Sequence, residues 1–435
     1  MRSADGLVER RVGQMLTSRS AEEPVIALHG PRAVGKSTVL HLFAAVNGVE
    51  VIDLDDLEAR EALAGNPSLI GEAARPVCID EYQHAPEVLD VIKARLNKEG
   101  SAPGLAVITG STRQDALPRT AQALTGRIHS MTIWPLSQGE LNATRENLLE
   151  GLHTAPVAVM SQHPTSATPR EEYVARVCAG GMPLAVTRSH TGRQRWFSDY
   201  VRQSVERDAV ELSQVRQRQA LADLLSYLAG QTGQLLNITK AAETVGIDRK
   251  TAEAYLRLLE DLFLAVRLPA WGKTLRSRVS ARPKAHIVDP GLAAHLLRLS
   301  PEKLGGLDST ALTEFGNLLE TFVVAELRKQ ASWLDAPPTL GHWRTSDGAE
   351  VDLVAEFDDG GVVAFEVKAN ERAMKPNFVG LEQLRQAVGT RFRGGVVFTT
   401  GRRSYTYSDR IHVLPIDRLW RSNDLPAGTL PLGAG

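Results

Sequence analysis

Residues 30–37 have the types and spacing that hold phosphate groups. They read GPRAVGKS, which fits G-x-x-x-x-G-K-[ST], and they follow the apolar run VIAL and precede the helix-like stretch TVLHLFAAV. The two glycines let the backbone wrap phosphates, the lysine neutralises charge, and the serine hydroxyl can bind Mg²⁺. The segment predicts a P-loop for ATP and Mg²⁺, with these residues at the nucleotide: Gly30, Pro31, Arg32, Ala33, Val34, Gly35, Lys36, Ser37 and Thr38.

A pair of acids ends a second apolar run, PVCIDE. Asp80 lies 44 positions after Lys36, and Glu81 follows it directly. Taken alone, two acids after a strand are ordinarily a solvated strand end. In a chain with a P-loop, however, this order is typical of a Walker B strand, in which Asp80 and Ser37 bind Mg²⁺ and Glu81 activates the attacking water. We predict this second arrangement.

Small hydroxyl residues follow a third apolar run, LAVITG. Ser111 and Thr112 are placed like the polar sensor that contacts the terminal phosphate in AAA-type ATPases, or else they cap the next helix. An arginine from a neighbouring subunit often completes such a site, which implies a homo-oligomer. The candidates are Arg113, Arg127 and Arg207, each of which is otherwise an ordinary surface arginine. We favour Arg127 as the catalytic arginine.

The segment from residue 216 to 300 has the pattern of a winged helix-turn-helix. ITKAAETVG and DRKTAEAYLRLLEDLFL read as two helices that meet at Gly246, with Asp248 as the cap of the second, and six basic residues and no acids follow between positions 267 and 284. Trp271 would support the wing or contact a sugar. Such modules bind DNA through phosphate contacts, but they also serve as protein interfaces. The predicted DNA contacts are Arg249, Lys250, Arg257, Lys273, Arg276, Arg278, Arg282 and Lys284.

Two acids and a lysine stand inside apolar runs near the C-terminus. Asp352 lies in EVDLVAEF, and Glu366 and Lys368 lie in VVAFEVKA, 14 and 16 positions later. Residues i and i+2 of a strand share a face, so Glu366 and Lys368 are expected to project together toward Asp352. Such a set resembles the D…E-x-K signature of restriction-endonuclease-like domains, in which Asp352 and Glu366 would bind Mg²⁺; Glu320 on the preceding helix is a plausible fourth member. Acids that keep an edge strand solvated would give the same pattern.

The elements that position these residues alternate between strand-like and helix-like runs. This pattern predicts an α/β fold with a parallel sheet. We expect five parts: a P-loop core at 1–140, a helical lid at 141–215, the winged helix-turn-helix at 216–300, a nuclease-like domain at 305–420 and a flexible tail at 421–435.

The composition narrows the class of protein. The chain has 435 residues, a formal charge of -1 and 43% hydrophobic residues, which exclude a polybasic nucleic-acid coat and a disordered chain. No apolar run reaches the roughly 18 residues that a membrane helix needs, and the N-terminus lacks the apolar stretch of a signal peptide. We therefore expect a cytoplasmic protein that can associate with the nucleoid and has no membrane partner. Cys78 and Cys178 are too isolated for a zinc site, and we expect both to be buried.

Short stretches along nearly the whole chain resemble a group of bacterial and archaeal AAA-type ATPases whose C-terminal half is a domain of unknown function. The stretches are the P-loop, IDEYQ, ITGST, TGRI, WPLSQGE, GGMP, ERDA, VDPGLAAHLL and EFGNLLE. The resemblance implies an ATPase core, a winged helix and a C-terminal domain similar to Holliday-junction resolvases. The apolar run before Asp80 is shorter than in many Walker B strands.

Three functions remain open from the sequence. The first is an ATPase whose nucleotide state controls its grip on DNA, with branched DNA such as a Holliday junction as the expected partner. The second is an ATP-gated, Mg²⁺-dependent endonuclease that cuts with Asp352, Glu366 and Lys368. The third is a regulatory ATPase whose winged helix contacts protein.

Overall fold

The computed structural model describes residues 7–112, 124, 126–162, 164–209, 217–272, 281–306 and 308–422. Four of the predicted site residues (Arg113, Lys273, Arg276 and Arg278) and nearly all of the predicted tail lie outside them. Within them the strands are β1 (Val25–His29), β2 (Val51–Asp53), β3 (Val77–Asp80), β4 (Ala106–Gly110), β5 (Ile128–Thr132), β6 (Gln234–Leu235), β7 (Ala265–Leu268), β8 (Lys284–Ile287), β9 (Thr339–Arg344), β10 (Glu350–Glu356), β11 (Val362–Lys368), β12 (Phe392–Thr399), β13 (Tyr405–Ser408) and β14 (Ile411–Pro415).

The α-helices in the same ranges are α1 (Arg11–Ser20), α2 (Lys36–Asn47), α3 (Leu57–Gly65), α4 (Ser68–Gly71), α5 (Val88–Glu99), α6 (Gln138–Asn142), α7 (Leu148–Thr154), α8 (Pro156–Ser161), α9 (Arg170–Ala179), α10 (Pro183–Val186), α11 (His190–Gln203), α12 (Arg218–Gly230), α13 (Ile238–Val245), α14 (Arg249–Asp261), α15 (Pro290–Leu296), α16 (Pro301–Leu304), α17 (Ser309–Ser332) and α18 (Val379–Val388). A π-helical turn, Ser204–Asp208, extends α11.

The N-terminal sheet is parallel and has the strand order β2-β3-β4-β1-β5. Its central strands β1, β3 and β4 are buried along their whole length and mostly apolar, because helices cover both faces. The carboxyl ends of parallel strands lie at one edge of a sheet. The P-loop after β1, Asp80 at the end of β3 and Ser111 after β4 therefore meet at that edge, with β4 in the middle. The predicted α/β fold with a parallel sheet is confirmed.

The middle of the chain contains the predicted pair of helices and a small sheet. α13 and α14 meet at Gly246, and the Asp248 side chain accepts a hydrogen bond from the Thr251 N–H at the start of α14, so the predicted helices and cap are confirmed. Strands β6, β8 and β7 form an antiparallel sheet beside them. One hydrophobic core runs from the helices of the predicted lid through α12 and α14 to α17 and the C-terminal sheet.

The C-terminal sheet has six strands in the order β13-β14-β12-β11-β10-β9. Strand β11 is internal, since β10 pairs with it antiparallel and β12 parallel. An edge strand whose acids are solvated is therefore the wrong interpretation of Glu366. The long helix α17 packs against one face of this sheet, and α18 packs against the other.

Both cysteines, Cys78 and Cys178, are free and buried, as predicted. Among the helices that the structure describes, none is both long and apolar enough to span a membrane.

Candidate functional site

The P-loop encloses its lysine. Lys36 is 4% exposed, and its Nζ donates hydrogen bonds to the carbonyls of Gly30 at 3.2 Å and Pro31 at 3.1 Å. Gly30 has no room for a side chain, because a Cβ there would lie 2.3 Å from the carbonyl oxygen of Ile133. The loop therefore forms a narrow cradle with one positive charge inside it, which is the arrangement that phosphate groups require.

Arg10, which the sequence analysis did not single out, ties the P-loop to the segment after β5. Its guanidinium donates to the carbonyls of Val34 at 2.8 Å and Trp134 at 2.6 Å. It also pairs with the Glu140 carboxylate at 3.1 Å. The residue lies in a segment with no motif, so only the folded structure reveals this positioning role.

The two Walker B acids have different surroundings. Asp80 is 4% exposed and accepts a hydrogen bond from the Thr109 hydroxyl, so a solvated strand end is the wrong interpretation for it. Glu81 has a left-handed backbone, with φ at 49°. Its N–H donates to Asp80 at 3.1 Å and to Thr109 at 3.2 Å. A non-glycine residue in this conformation costs about 1 kcal/mol or more and is frequent where a side chain must point into a site.

Gln83 joins the Walker B segment to the predicted sensor, and sequence reasoning missed it. Its Nε2 donates to the Glu81 carboxylate and, at 3.1 Å, to the Ser111 hydroxyl. The Gln83 Oε1 and Thr112 Oγ1 atoms are buried and lack a hydrogen-bond partner within the described part of the chain. Buried polar atoms without partners are costly, so they mark a place where a polar ligand would fit. The helix that Ser111 and Thr112 might cap lies outside the described residues.

His29 and Tyr82 form a buried pair behind the loop, at 3.0 Å between Nε2 and Oη. Burial, reinforced by the nearby charge of Lys36, lowers the pKa of His29 to about 4. Burial also raises the pKa of Tyr82. Both side chains are therefore neutral at pH 7, and Lys36 is the positive group of this cradle.

A mostly apolar cavity of 440 Å³ opens beside the P-loop. Leu7 and Val8 from the N-terminal segment, Thr38 from α2, and Arg176 and Gly180 from α9 and the residue after it line it. Arg10 and Arg176 are the positive side chains that line it, and Arg176 donates to Gln138 Oε1 at 2.7 Å and pairs with Glu172. An apolar pocket adjoining a phosphate cradle suits a nucleoside triphosphate, and Ser37 and Asp80 are oxygen donors that suit Mg²⁺ beside its phosphates. ATP and Mg²⁺ therefore fit the residues present.

The residue next to the wall of this cavity is hydrogen-bonded to Asp289, which lies between β8 and α15. The Gly181 N–H donates to Asp289 Oδ2 at 2.6 Å, and its carbonyl accepts from the Leu136 N–H at 2.7 Å. A Cβ on Gly181 would lie 2.3 Å from the Leu136 carbonyl oxygen, so only glycine fits. Asp289 also caps α15, because its Oδ1 accepts a hydrogen bond from the Leu292 N–H. It lies two residues after the end of β8.

Neither of the described candidate arginines, Arg127 and Arg207, lines the cavity beside the P-loop. Arg127 precedes β5, at the sheet edge opposite the P-loop, and donates to Asn97 at 2.7 Å. Arg207 is exposed on the π-helical turn. A catalytic role for Arg127 would therefore require the site of a neighbouring subunit.

The helix-turn-helix region presents a basic face. Arg249, Lys250, Arg257 and Arg282 are exposed, and three of the four line a groove of 490 Å³ together with Arg267. Lys284 does not belong to this face: it is 2% exposed, so its predicted DNA contact is wrong. Its aliphatic stem and charge face α17 and the C-terminal sheet instead.

Trp271 is buried and contacts no solvent-facing groove. Its Nε1 donates to Glu356 Oε2 at 3.0 Å, and its backbone N–H donates to the His342 carbonyl. It therefore supports the joint between the small sheet and the C-terminal sheet, and the predicted sugar contact is excluded.

The structure brings Asp352, Glu366 and Lys368 together, as the strand pattern predicted. Lys368 Nζ lies 2.6 Å from Glu366 Oε1, and the Asp352 carboxylate accepts a hydrogen bond from the Val367 N–H at 2.9 Å. The cluster has three further members. Lys284 Nζ lies 2.8 Å from Glu320, 2.6 Å from Glu350 and 2.9 Å from Asp352.

Burial and mutual repulsion set the charges in this cluster. Desolvation, followed by the charge of Asp352, raises the pKa of Glu366 to about 8. Burial likewise raises the pKa of Glu320, whereas the Lys284 and Lys368 charges hold the pKa of Asp352 below its usual value despite burial. Divalent Mg²⁺ needs several free anionic oxygens. The Lys284 ammonium already bridges three carboxylates, and the described residues contain no group of three or more acids, histidines or cysteines placed to hold a metal. Mg²⁺ does not fit this cluster.

Comparison with known proteins gives a family match for the N-terminal part of the chain. Residues 22–142 match the family described as an AAA domain, which supports an AAA-type ATPase. Residues 170–303 and 315–419 match two families described as domains of unknown function, DUF8612 and DUF4143.

Relatives extend over most of the chain. An uncharacterized protein of Mycobacterium tuberculosis is 26% identical over 433 residues, which cover 95% of this chain and 85% of the relative. One of Haemophilus influenzae is 25% identical over 304 residues, 67% of this chain and 66% of the relative. The solved structure of a Walker-type ATPase of Pyrococcus abyssi is 17% identical, with a TM-score of 0.41, over 68% of this chain and 97% of that chain.

Proposed function

We propose that the protein is an ATPase whose nucleotide state controls its affinity for DNA. Branched DNA is the expected substrate, and a homo-oligomer is the expected active form. In this proposal residues 216–300 act as a winged helix-turn-helix, and residues 305–420 form a nuclease-like domain.

The hydrolytic part of the proposal follows from the P-loop edge of the sheet. Lys36 and the loop N–H groups bind the phosphates, and Ser37 and Asp80 hold Mg²⁺, which would neutralise charge on the transferred group. Glu81 accepts the proton of the attacking water. Gln83 donates hydrogen bonds to both the Glu81 carboxylate and the Ser111 hydroxyl. A change at the terminal phosphate that moves Ser111 would therefore also move Glu81.

The coupling between nucleotide state and DNA binding is inferred from the short segment between β8 and α15. At one end, Asp289 accepts a hydrogen bond from the N–H of Gly181, the residue that follows Gly180 in the wall of the nucleotide cavity. At the other end, β8 belongs to the same small sheet as β7, which follows the basic helix α14. One rigid segment therefore contacts both the nucleotide site and the proposed DNA-binding unit, so different positions of the cavity wall would present different DNA surfaces.

The exposed basic side chains support DNA as the partner. Arginine and lysine side chains that line an open groove bind phosphates and release counterions, which makes binding fall steeply with salt. Seven of the eight predicted contacts remain after Lys284 is removed, and three of those, Lys273, Arg276 and Arg278, stay predictions outside the described residues.

The test measures DNA binding and ATP hydrolysis by the full chain with a four-way junction, a linear duplex and a single strand at two salt concentrations. Seven phosphate contacts predict a slope of log Kd against log salt of about 6, and thus about a thousand-fold weaker binding or more between 50 and 200 mM salt. We expect the junction to bind most tightly and to stimulate hydrolysis. Failure to bind any of the three DNAs at low salt would contradict the proposal and favour a regulatory ATPase that contacts protein.

A further inference from the structure

The carboxylate cluster in the C-terminal sheet has the geometry of a cation site whose cation is part of the chain. Three acidic side chains from two elements, Glu320 on α17 and Glu350 and Asp352 on β10, converge on one point with oxygens 2.6 to 2.9 Å away. That point is the Nζ atom of Lys284. Three anionic oxygens around one centre at slightly shorter distance are what a divalent ion takes in proteins.

The lysine does not come from the domain that supplies the acids. Lys284 opens β8 in the small antiparallel sheet, and it precedes Glu320 by 36 residues and Asp352 by 68. Its side chain is 2% exposed, so it cannot leave the cluster without separating the small sheet from the C-terminal sheet. Trp271 and Glu356 fasten the same two sheets a short distance away.

Two further carboxylate oxygens of the cluster already have partners within the chain. Lys368 pairs with Glu366 Oε1, and the Val367 N–H donates to Asp352 Oδ2. The other Glu366 oxygen, Oε2, is buried and has no hydrogen-bond partner in the part of the chain that the structure describes. This buried oxygen is a ligand position that neither lysine fills.

We propose that the Lys284 ammonium takes the place of the divalent cation, so that the C-terminal domain is built as a nuclease-like fold that binds no metal and does not cut DNA. In this arrangement the cluster is an internal joint between the small sheet and the C-terminal sheet. The inference concerns the cluster between the small sheet and the C-terminal sheet, so it stands or fails independently of ATP hydrolysis at the P-loop.

The probe is Mn²⁺, titrated into the nucleotide-free full chain and followed by the electron paramagnetic resonance signal of the free ion. The single variant Asp352→Asn should bind the same number of Mn²⁺ ions as the wild type. Lys284→Met should bind about one additional Mn²⁺ per chain, and Lys284→Met with Asp352→Asn should lose it again. Lys98→Met, at an exposed lysine in the last turn of α5, is the matched control and should gain none.

Several results would overturn the proposal. They are a wild-type Mn²⁺ site that disappears in Asp352→Asn, Mg²⁺-dependent DNA nicking that is lost in Asp352→Asn, or a folded Lys284→Met variant that gains no Mn²⁺. Lys284→Met leaves acids buried without their cation, so Lys284→Met with Glu320→Gln, which removes one of those charges, is prepared beside it. If neither variant folds, the comparison of the wild type with Asp352→Asn still decides between an internal cation and a metal site.

Discussion

At the scale of single residues, Glu81 and Lys36 have separable tasks. Glu81 lies outside the phosphate cradle and faces Gln83, whereas Lys36 is inside it. We expect Glu81→Gln to lower kcat for ATP at least about a hundred-fold with little change in ATP affinity, because general-base catalysis contributes roughly that much. Lys36→Ala should weaken ATP binding itself. Single-turnover hydrolysis and equilibrium binding of a fluorescent ATP analogue measure the two effects, and equal losses of both in Glu81→Gln would contradict its assignment.

His29 gives a second residue-scale prediction, on stability. Its pKa is about 4 in the folded chain against 6.5 for the free side chain, so between these values the unfolded chain binds a proton that the folded chain does not. Stability is therefore lost as pH falls through this window. From pH 7 to pH 5 the loss from this group is about 2 kcal/mol.

Urea unfolding of the wild type and His29→Gln at several pH values tests this. Glutamine keeps a polar group next to Tyr82 but does not titrate, and the other acids titrate equally in both proteins. The free energy of unfolding should therefore fall more steeply in the wild type between pH 6.5 and pH 4. Parallel curves would show that His29 is not buried in its neutral form.

At the scale of elements, α14 is the part of the basic face that can be tested most directly. Arg249 and Arg257 are exposed on this helix, two turns apart. If each contacts one phosphate, Arg249→Ala and Arg257→Ala should each lower the slope of log Kd against log salt by about 0.9 and weaken binding to all DNA sequences alike. Fluorescence anisotropy over a salt series measures both quantities.

The matched control is Arg202→Ala on α11, where the arginine is as exposed as Arg249 and also pairs with an acid on its own helix. It should leave the salt slope unchanged. A slope that falls equally in all three variants would indicate a general charge effect rather than contacts at α14. An unchanged slope in both α14 variants would leave this helix free to contact protein.

Local sequence signals predicted some elements of this fold and misplaced one lysine. Apolar runs predicted the strands of the N-terminal sheet, and local signals such as Gly246 and Asp248 predicted the paired helices, because these features depend on neighbours within a few residues. Lys284 was assigned to the wrong surface for the opposite reason. Its local context is a run of basic residues, but its partners lie 36 to 68 positions away, and no pattern within one segment reports which sheet a side chain will face.

The positioning residues were missed on the same grounds. Gln83 is the last residue of the IDEYQ stretch, but its link to Ser111 exists only because β3 and β4 are adjacent. Arg10 and Arg176 reach the nucleotide cavity from segments that carry no motif at all. The phosphate loop and the acid pair that ends β3 are visible in the sequence because chemistry fixes their residue types and order, whereas the groups that hold them are fixed by packing.

At the scale of the whole molecule, one buried carboxylate connects the residue next to the nucleotide cavity with helix α15, which follows the small sheet. Asp289 uses one oxygen for the Gly181 N–H and the other for the Leu292 N–H at the start of α15. Asparagine offers a single acceptor oxygen and would place an NH₂ group against one of these two N–H donors. Asp289→Asn must therefore release either the cavity wall or the cap of α15.

If DNA grip responds to nucleotide through this joint, DNA affinity of the wild type should differ at least about five-fold between the ADP state and the state with a non-hydrolysable ATP analogue. In Asp289→Asn the difference should fall below about two-fold, while each ligand still binds by itself. Asp308→Asn is the matched control, since Asp308 also caps a helix, α17, with its side chain but is exposed and makes no contact shown with the nucleotide cavity. Because coupling is a ratio of affinities, a uniform loss of DNA binding would leave it intact. Full coupling in a folded Asp289→Asn variant would therefore show that nucleotide state reaches the DNA face by another route.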